Sequence, residues 1–400
     1  MTFPVIGVVG GGQLARMMVP AALELGLGLR VLAEAADVST ADAARHSTVG
    51  DYRDLAMLRD FARSVDVLTF DHEHVPAAHL ETLMAEGVNV QPTPSALRHA
   101  QDKLVMRAAI DRLGLPNPAW AAVRSVPEIV EFGETVGWPV VLKTPRGGYD
   151  GKGVRILSGP EEATAAAAWF AAMNPLLVEA KVDFSRELSA MVARRPSGEA
   201  VAWPVVESIQ IDGVCDEVIA PAPQLAADVA AAARDAALRI ADELGVTGAM
   251  AVEIFETPGI GAGFLINELA MRPHNSGHWS MDGALTGQFE QHLRAVADLP
   301  LGDPRPLAPF TVMKNILGGP NQELYRAYPA ALAAQPGIKV HNYGKSVRPG
   351  RKIAHVNGLA RDGESLAALR ARVAEAASII RNGAPGPAAE QPTTNEAATR

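Results

Sequence analysis

Ile266-Asn267-Glu268-Leu269-Ala270-Met271-Arg272-Pro273-His274-Asn275-Ser276-Gly277-His278 sets an amide, a carboxylate, a guanidinium and imidazoles directly after the apolar pair Phe264-Leu265. Burying charge is costly unless it is paired or metal-bound, so this polar density at a strand end marks a site for an ionic ligand, not a packing surface. A magnesium-bound phosphate suits such a set. The run 249–255 reads as a second strand, with Glu253 where it can pair with Glu268. Two carboxylates side by side repel unless a cation or proton lies between them. Magnesium binds through one or two carboxylates and completes its shell with phosphate oxygens and water, which Glu253, Glu268 and Asn267 would allow. A surface pair of strand-end acids would explain Glu253 alone, but Asn267 and Arg272 beside it favour the site.

Upstream, Lys143 closes the apolar run 139–142 and precedes Arg146-Gly147-Gly148-Tyr149-Asp150-Gly151-Lys152-Gly153. Glycines let backbone amides approach phosphate oxygens, while a lysine neutralises charge. The loop is not a Walker loop, because Lys152 is not followed by Ser or Thr and no helix starts there. A flexible hairpin would explain the glycines but not the embedded Tyr149-Asp150. Residues 177–182, followed by Glu187, read as an interdomain strand whose backbone can bond an adenine edge, with Glu187 placed for ribose hydroxyls. Lys345, Arg348, Arg351 and Lys352 surround a late turn and can seat a second phosphate, although a solvated basic turn is as common. His72 and His74, with Asp71 and Glu73, have a metal-like look. Their i, i+2 spacing supplies no third neutral ligand, so no structural metal is expected there.

Residues 4–90 alternate short apolar runs (5–9, 29–33, 65–70 and 88–91) with helical patterns, the rhythm of a parallel sheet with helices on both faces. Gly10-Gly11-Gly12-Gln13-Leu14-Ala15 opens the first helix, and with Glu34 it satisfies a dinucleotide fingerprint. A nicotinamide-dependent enzyme is therefore the rival reading, and a tight turn needing glycine for close packing is the plain one. A helix is expected from 93 to about 113, stopped by Gly114-Leu115-Pro116. A small α+β unit follows, then a larger one with strands at 187–206, a helix at 226–244 and the acidic strand pair. Strands at 339–345 and 352–359 form a hairpin before a last helix at 365–380. The tail 383–400 lacks aromatics and long aliphatics and is expected to be disordered.

The chain carries 36 basic and 45 acidic residues, a net charge of −9, which argues against nucleic acid or an anionic membrane as partner. Basic clusters are then sites for small anions. The single cysteine, Cys215, reads as a small apolar strand residue and suits a reducing cytoplasm, where no disulfide framework is needed. The N-terminus shows no signal-peptide pattern, and no apolar stretch approaches a membrane span.

These motifs closely resemble the N5-carboxyaminoimidazole ribonucleotide synthetases, ATP-grasp enzymes of purine biosynthesis. The most specific pieces are Gly-Gly-Tyr-Asp-Gly-Lys-Gly at 147–153 and Arg-Pro-His-Asn-Ser-Gly-His at 272–278, and the resemblance runs to about residue 382. It implies an ATP-grasp fold of α/β and α+β class. A Rossmann-like, doubly wound parallel-sheet domain would cover 1–114, a mobile lid 115–186, a catalytic domain 187–310 and a small β-rich portion 311–382.

The implied reaction is ATP-dependent carboxylation of 5-aminoimidazole ribonucleotide by bicarbonate through carboxyphosphate, in a cytoplasmic homodimer. Carried onto this chain, the resemblance assigns ATP to Arg98, Lys143, Gly148 to Val154 (Tyr149, Asp150, Gly151, Lys152 and Gly153 between them), Glu179, Ala180, Lys181, Val182, Glu187, Gln210, Asn267 and Glu268. Magnesium, or manganese, falls to Glu253 and Glu268. Tyr149, Asp150, Lys152, Arg272, His274 and Asn275 would serve catalysis. Gly12, Gln13, Leu14, Glu73 and Ser276, with Arg272, His274 and Asn275, would hold the acceptor, whose phosphate goes to Lys345 and Arg351. Met271, Gln210, the Asp71-His72-Glu73-His74 run and a Gly259 to Gly263 turn depart from the family pattern and touch details of substrate fit. Other readings are a formate-dependent transformylase of glycinamide ribonucleotide or a regulatory nucleotide-binding protein.

Overall fold

Alternation of apolar and β-branched residues builds three sheets. The computed structural model describes residues 3–148 and 153–383, so the tail expected to be disordered lies, but for its first residue, outside the described residues. Strands β1 (Val5–Val9), β2 (Gly28–Ala33), β3 (His46–Val49) and β4 (Val67–Phe70) form a parallel sheet of order β3-β2-β1-β4. Successive residues of β1 serve opposite faces. Ile6 and Val8 pack with Met18 of the first helix and Leu293, while Val9 joins Leu58, Leu80 and Leu97 on the other side. The run expected as a strand at 88–91 is reduced to one bridge between Leu68 and Val90. Strand β3 is exposed and polar, so hydrophobic periodicity gave no sign of it.

The helix expected from 93 to 113 is broken. It runs Pro94–Gln101 and Lys103–Arg112, with extended Asp102 between them. Asp102 accepts hydrogen bonds from Leu104 and Val105 amides and caps the second helix, as an aspartate at an N-cap does. Its other carboxylate oxygen takes Arg146 at 2.8 Å. The break points Lys103 into the cleft.

Strands β5 (Trp120–Val123), β6 (Val140–Lys143), β7 (Val154–Leu157) and β8 (Leu176–Ala180) make a small antiparallel sheet of order β5-β8-β6-β7. The third sheet has nine strands: β9 (Arg186–Arg194), β10 (Ala200–Ala202), β11 (Val206–Ile211), β12 (Val214–Ala220), β13 (Gly248–Glu256), β14 (Phe264–Ala270), β15 (Thr311–Leu317), β16 (Lys339–Asn342) and β17 (Lys352–Leu359). Its main order is β14-β13-β9-β11-β12-β15-β17-β16, so the C-terminal strands continue the sheet that carries the acidic pair. One apolar cluster joins the N-terminal helices to β9, β13 and β14. No helix among the described residues is long and apolar enough to cross a membrane.

Candidate active site

A cleft of about 1870 Å³ lies where the three sheets meet. Of the described residues assigned from sequence, only Gly153 and Ser276 do not border it. Tyr149, Asp150, Gly151 and Lys152 lie outside the described residues.

At one end, Lys143 and Glu179 come from adjacent antiparallel strands, β6 and β8, and their side chains meet at 2.7 Å. Behind them the fully buried Arg107 binds Glu179 at 2.6 Å and reaches the carbonyls of Ile266 at 2.6 Å and Asn267 at 2.9 Å. Burial opposes the charge of Glu179, but Lys143 and Arg107 outweigh it and hold the carboxyl below its ordinary range. Arg107 thereby ties β8 to β14. Sequence reading missed it. Lys103, also missed, meets Glu268 at 2.6 Å. Lys143 donates to Asn267 Oδ1 at 3.4 Å. Arg98 is exposed on the cleft margin, whereas Lys103 binds Glu268 of the acidic pair. Burial, then the neighbouring Glu253, push the Glu187 carboxyl up to about 7, with Lys143 opposing. Gly148, Val154, Ala180, Lys181, Val182 and Gln210 complete this end. Gly153 stands behind the loop at φ +75°, where any side chain would collide with Thr144.

In the middle, β13 and β14 set Glu253 opposite Glu268 in register. Glu253 lies 3.1 Å from His274 Nε2. Burial works against its charge, but His274 and then Arg272 and Lys352 prevail and keep its carboxyl low. Arg272 meets Glu73 at 2.8 Å. Asn275 is half-buried, and both its amide atoms are shielded from solvent and unpartnered among the described residues, apart from the nearby Cys215 thiol. Such an amide costs free energy unless a ligand or water engages it. The placement of Ser276 differs from its assignment to the acceptor. Its hydroxyl is buried, meets His274 Nδ1 at 2.8 Å and donates to Ser189 at 2.8 Å, so it supports His274 from behind. Cys215 borders the cleft on β12, but burial pushes its thiol up to about 11, which leaves it unreactive near neutrality.

At the far end, the turn at Gly12, Gln13 and Leu14 faces Lys345, which donates to Gln13 Oε1. Arg16 binds the carbonyls of Ser39 at 2.7 Å and Asn342 at 3.2 Å, docking the late strands onto this turn. Burial and the Arg351 charge push the Lys345 ammonium down to about 8, against Asp71. The Arg351 guanidinium bonds only Ser346 among the described residues.

The nicotinamide reading fails at this turn. The Gly11 amide donates to Glu34 at 3.2 Å, and the Gly12 amide faces the buried Asp71 carboxylate. A pyrophosphate would meet carboxylates there instead of free amides. Glu34 is held down to about 2, first by His72 at 3.1 Å, against burial.

Two carboxylates in register with an adjacent amide oxygen are hard donors of the kind magnesium takes beside phosphates. In the protein alone, His274 and Lys103 are their partners. The set fits a magnesium ion that arrives with a nucleotide.

Comparisons with known proteins find three families along the chain. The ATP-grasp domain family matches residues 108–289, the ribonucleotide synthetase preATP-grasp domain 3–101, and the phosphoribosylaminoimidazole carboxylase C-terminal domain 311–369. The chain is 52% identical over 363 residues to the N5-carboxyaminoimidazole ribonucleotide synthase of Mycobacterium tuberculosis, covering 90% of this chain and 84% of that one. The crystal structure of the synthetase from Thermus thermophilus is similar at 35% identity and TM-score 0.83, over 97% of this chain and 99% of that one. An Aspergillus clavatus synthase in complex with ADP and 5-aminoimidazole ribonucleotide is similar at 26% identity and TM-score 0.83, over 95% and 99% of the two chains.

Proposed function

The chain belongs to the N5-carboxyaminoimidazole ribonucleotide synthases, and from that premise we propose how its cleft divides the work. It is an ATP-grasp ligase that carboxylates 5-aminoimidazole ribonucleotide with ATP in purine biosynthesis. The observation that carries the division is one continuous cleft with a cationic, acidic end at Lys103, Lys143, Glu179 and Glu268 and a second cationic end at Lys345 and Arg351.

ATP occupies the first end. Lys103 and Lys143 release their carboxylate partners to phosphate oxygens, the backbone at 180–182 meets the adenine, and Glu187 meets the ribose. Asp102 braces the loop over the phosphates through Arg146. Magnesium, or manganese, would be held by Glu253, Glu268 and Asn267 and would supply charge neutralisation between the phosphates. Bicarbonate attacks the γ-phosphorus between His274 and Arg272, giving carboxyphosphate and ADP. Phosphoryl transfer of this kind needs positioning and charge stabilisation more than covalent help. The acceptor lies with its phosphate on Lys345 and Arg351, its ribose near Glu73 and its amine toward Asn275. The amine attacks the carboxyl carbon, phosphate leaves and a proton is released. A homodimer and a cytoplasmic setting belong to the same proposal, supported by the family resemblance.

The test is phosphate release with single omissions. Release should require ATP, aminoimidazole ribonucleotide and bicarbonate together. Release driven instead by formate with glycinamide ribonucleotide would identify a transformylase, and ATP binding without turnover would identify a regulator.

A further inference from the structure

Lys345, at the acceptor end of the cleft, is carried on a segment that the first helix holds at two points. In that helix (Gln13–Glu24) Gln13 and Arg16 lie one turn apart on the same face. Gln13 Oε1 accepts from the Lys345 ammonium, and Arg16 Nε donates to the Asn342 carbonyl at 3.2 Å, three residues before that lysine. Arg16 Nη1 donates to the Ser39 carbonyl at 2.7 Å, and the Ser39 hydroxyl donates to the Tyr343 carbonyl. The guanidinium thus joins three pieces of chain: the helix after the glycine turn, the loop after β2 and the end of β16.

The segment is bent so as to admit the arginine. Asn342 Oδ1 accepts from the Gly344 amide at 2.7 Å, which turns the chain, and Gly344 takes a φ of +64°. A Cβ at Gly344 would lie 2.7 Å from Arg16 Nη1 and 3.3 Å from the Ser39 carbonyl oxygen, so the guanidinium fills the space a side chain would need. Tyr343 is fully buried in the apolar cluster of Leu14 and Met18 from the same helix, and its ring centroid lies 5.8 Å from the Lys345 ammonium. Arg16 itself does not border the cleft, and its bonds among the described residues go to the two carbonyls, not to a carboxylate. A planar guanidinium fork fixes both bonds at once, which an ammonium on a flexible stem does not.

We propose that Arg16 is a positioning residue for the acceptor: by holding residues 342–344 against the first helix, it sets where the Lys345 ammonium meets the acceptor phosphate. This role rests on the reading of Lys345 as a phosphate contact. A contact of that kind binds ground state and transition state alike, so misplacing it weakens acceptor binding and leaves the chemical step alone.

Steady-state kinetics of the full chain, in a double-mutant cycle over Arg16→Met and Lys345→Met, test this. Arg16→Met should raise the Michaelis constant for aminoimidazole ribonucleotide roughly tenfold, leave kcat and the constant for ATP unchanged, and add almost nothing in the Lys345→Met background. Arg16→Lys keeps the charge but loses the fork, and should lie near Arg16→Met. Equal effects of Arg16→Met in both backgrounds, or wild-type behaviour of Arg16→Lys, would show that Arg16 acts through its charge or independently of Lys345, and overturn the proposal. A rise in both Michaelis constants, the mark of a loosened fold, would overturn it as well. If Lys345→Met itself leaves the acceptor constant unmoved, the phosphate reading of Lys345 falls and the role of Arg16 falls with it. An effect of Lys345→Met without one of Arg16→Met removes the role of Arg16 alone.

Discussion

The two ends of the cleft handle charge in opposite ways. At the nucleotide end the cations already hold carboxylates: Lys103 with Glu268, and Lys143 with a Glu179 shared by Arg107. At the acceptor end Lys345 and Arg351 have no carboxylate salt bridge among the described residues, and Lys345 is desolvated enough to fall to about 8. Buried like charges are tolerated only where something compensates them. The paired end is a resting arrangement that a nucleotide and its metal would exchange into, whereas the unpaired end is set for an anion.

The largest effect should follow from breaking the paired end at the carboxylate proposed to hold magnesium. Glu268→Gln keeps the volume but removes a charge from the acidic pair, and phosphate release should fall by roughly 10³ with the fold intact. Near-normal turnover in saturating magnesium would show that Glu268 serves only Lys103. Arg107→Met probes the same end from behind. It deprives Glu179 of one buried partner and leaves the Ile266 and Asn267 carbonyls unmatched, so unfolding in denaturant should report a loss of about 3 kcal/mol. A loss of only a few tenths would mean that β8 and β14 are held together otherwise.

The acceptor end is sharpened by pH. Lys345 loses its proton as pH rises through about 8, so the Michaelis constant for aminoimidazole ribonucleotide should climb above that pH, by at most tenfold per unit. Lys345→Arg keeps its charge and should flatten the climb. A profile unchanged by that substitution would locate the titration elsewhere.

The nucleotide end and the acidic pair were legible in the sequence to the extent that their residues close or interrupt apolar runs. Lys143, Glu253 and Glu268 each close or punctuate an apolar run, and a polar residue where a strand meets solvent is readable from pattern alone. Arg107 was hidden because it sits inside a helix, with partners 72, 159 and 160 residues away. Lys103 was hidden by reading one helix across Asp102, since no proline or glycine marks the break. The glycine turn at Gly10 to Gly12 offered a rival reading. Its spacing matched a dinucleotide fingerprint, but only the fold shows Glu34 and Asp71 on its amides.

The claim that the cleft has two phosphate ends is tested most directly by steady-state kinetics of Arg351→Ala with both substrates varied. Loss of one charge-assisted contact, worth roughly 1.5 to 3 kcal/mol, should raise the Michaelis constant for aminoimidazole ribonucleotide by one to two orders of magnitude and leave that for ATP unchanged. A raised constant for ATP with the acceptor constant unmoved would contradict the account and exchange the two ends.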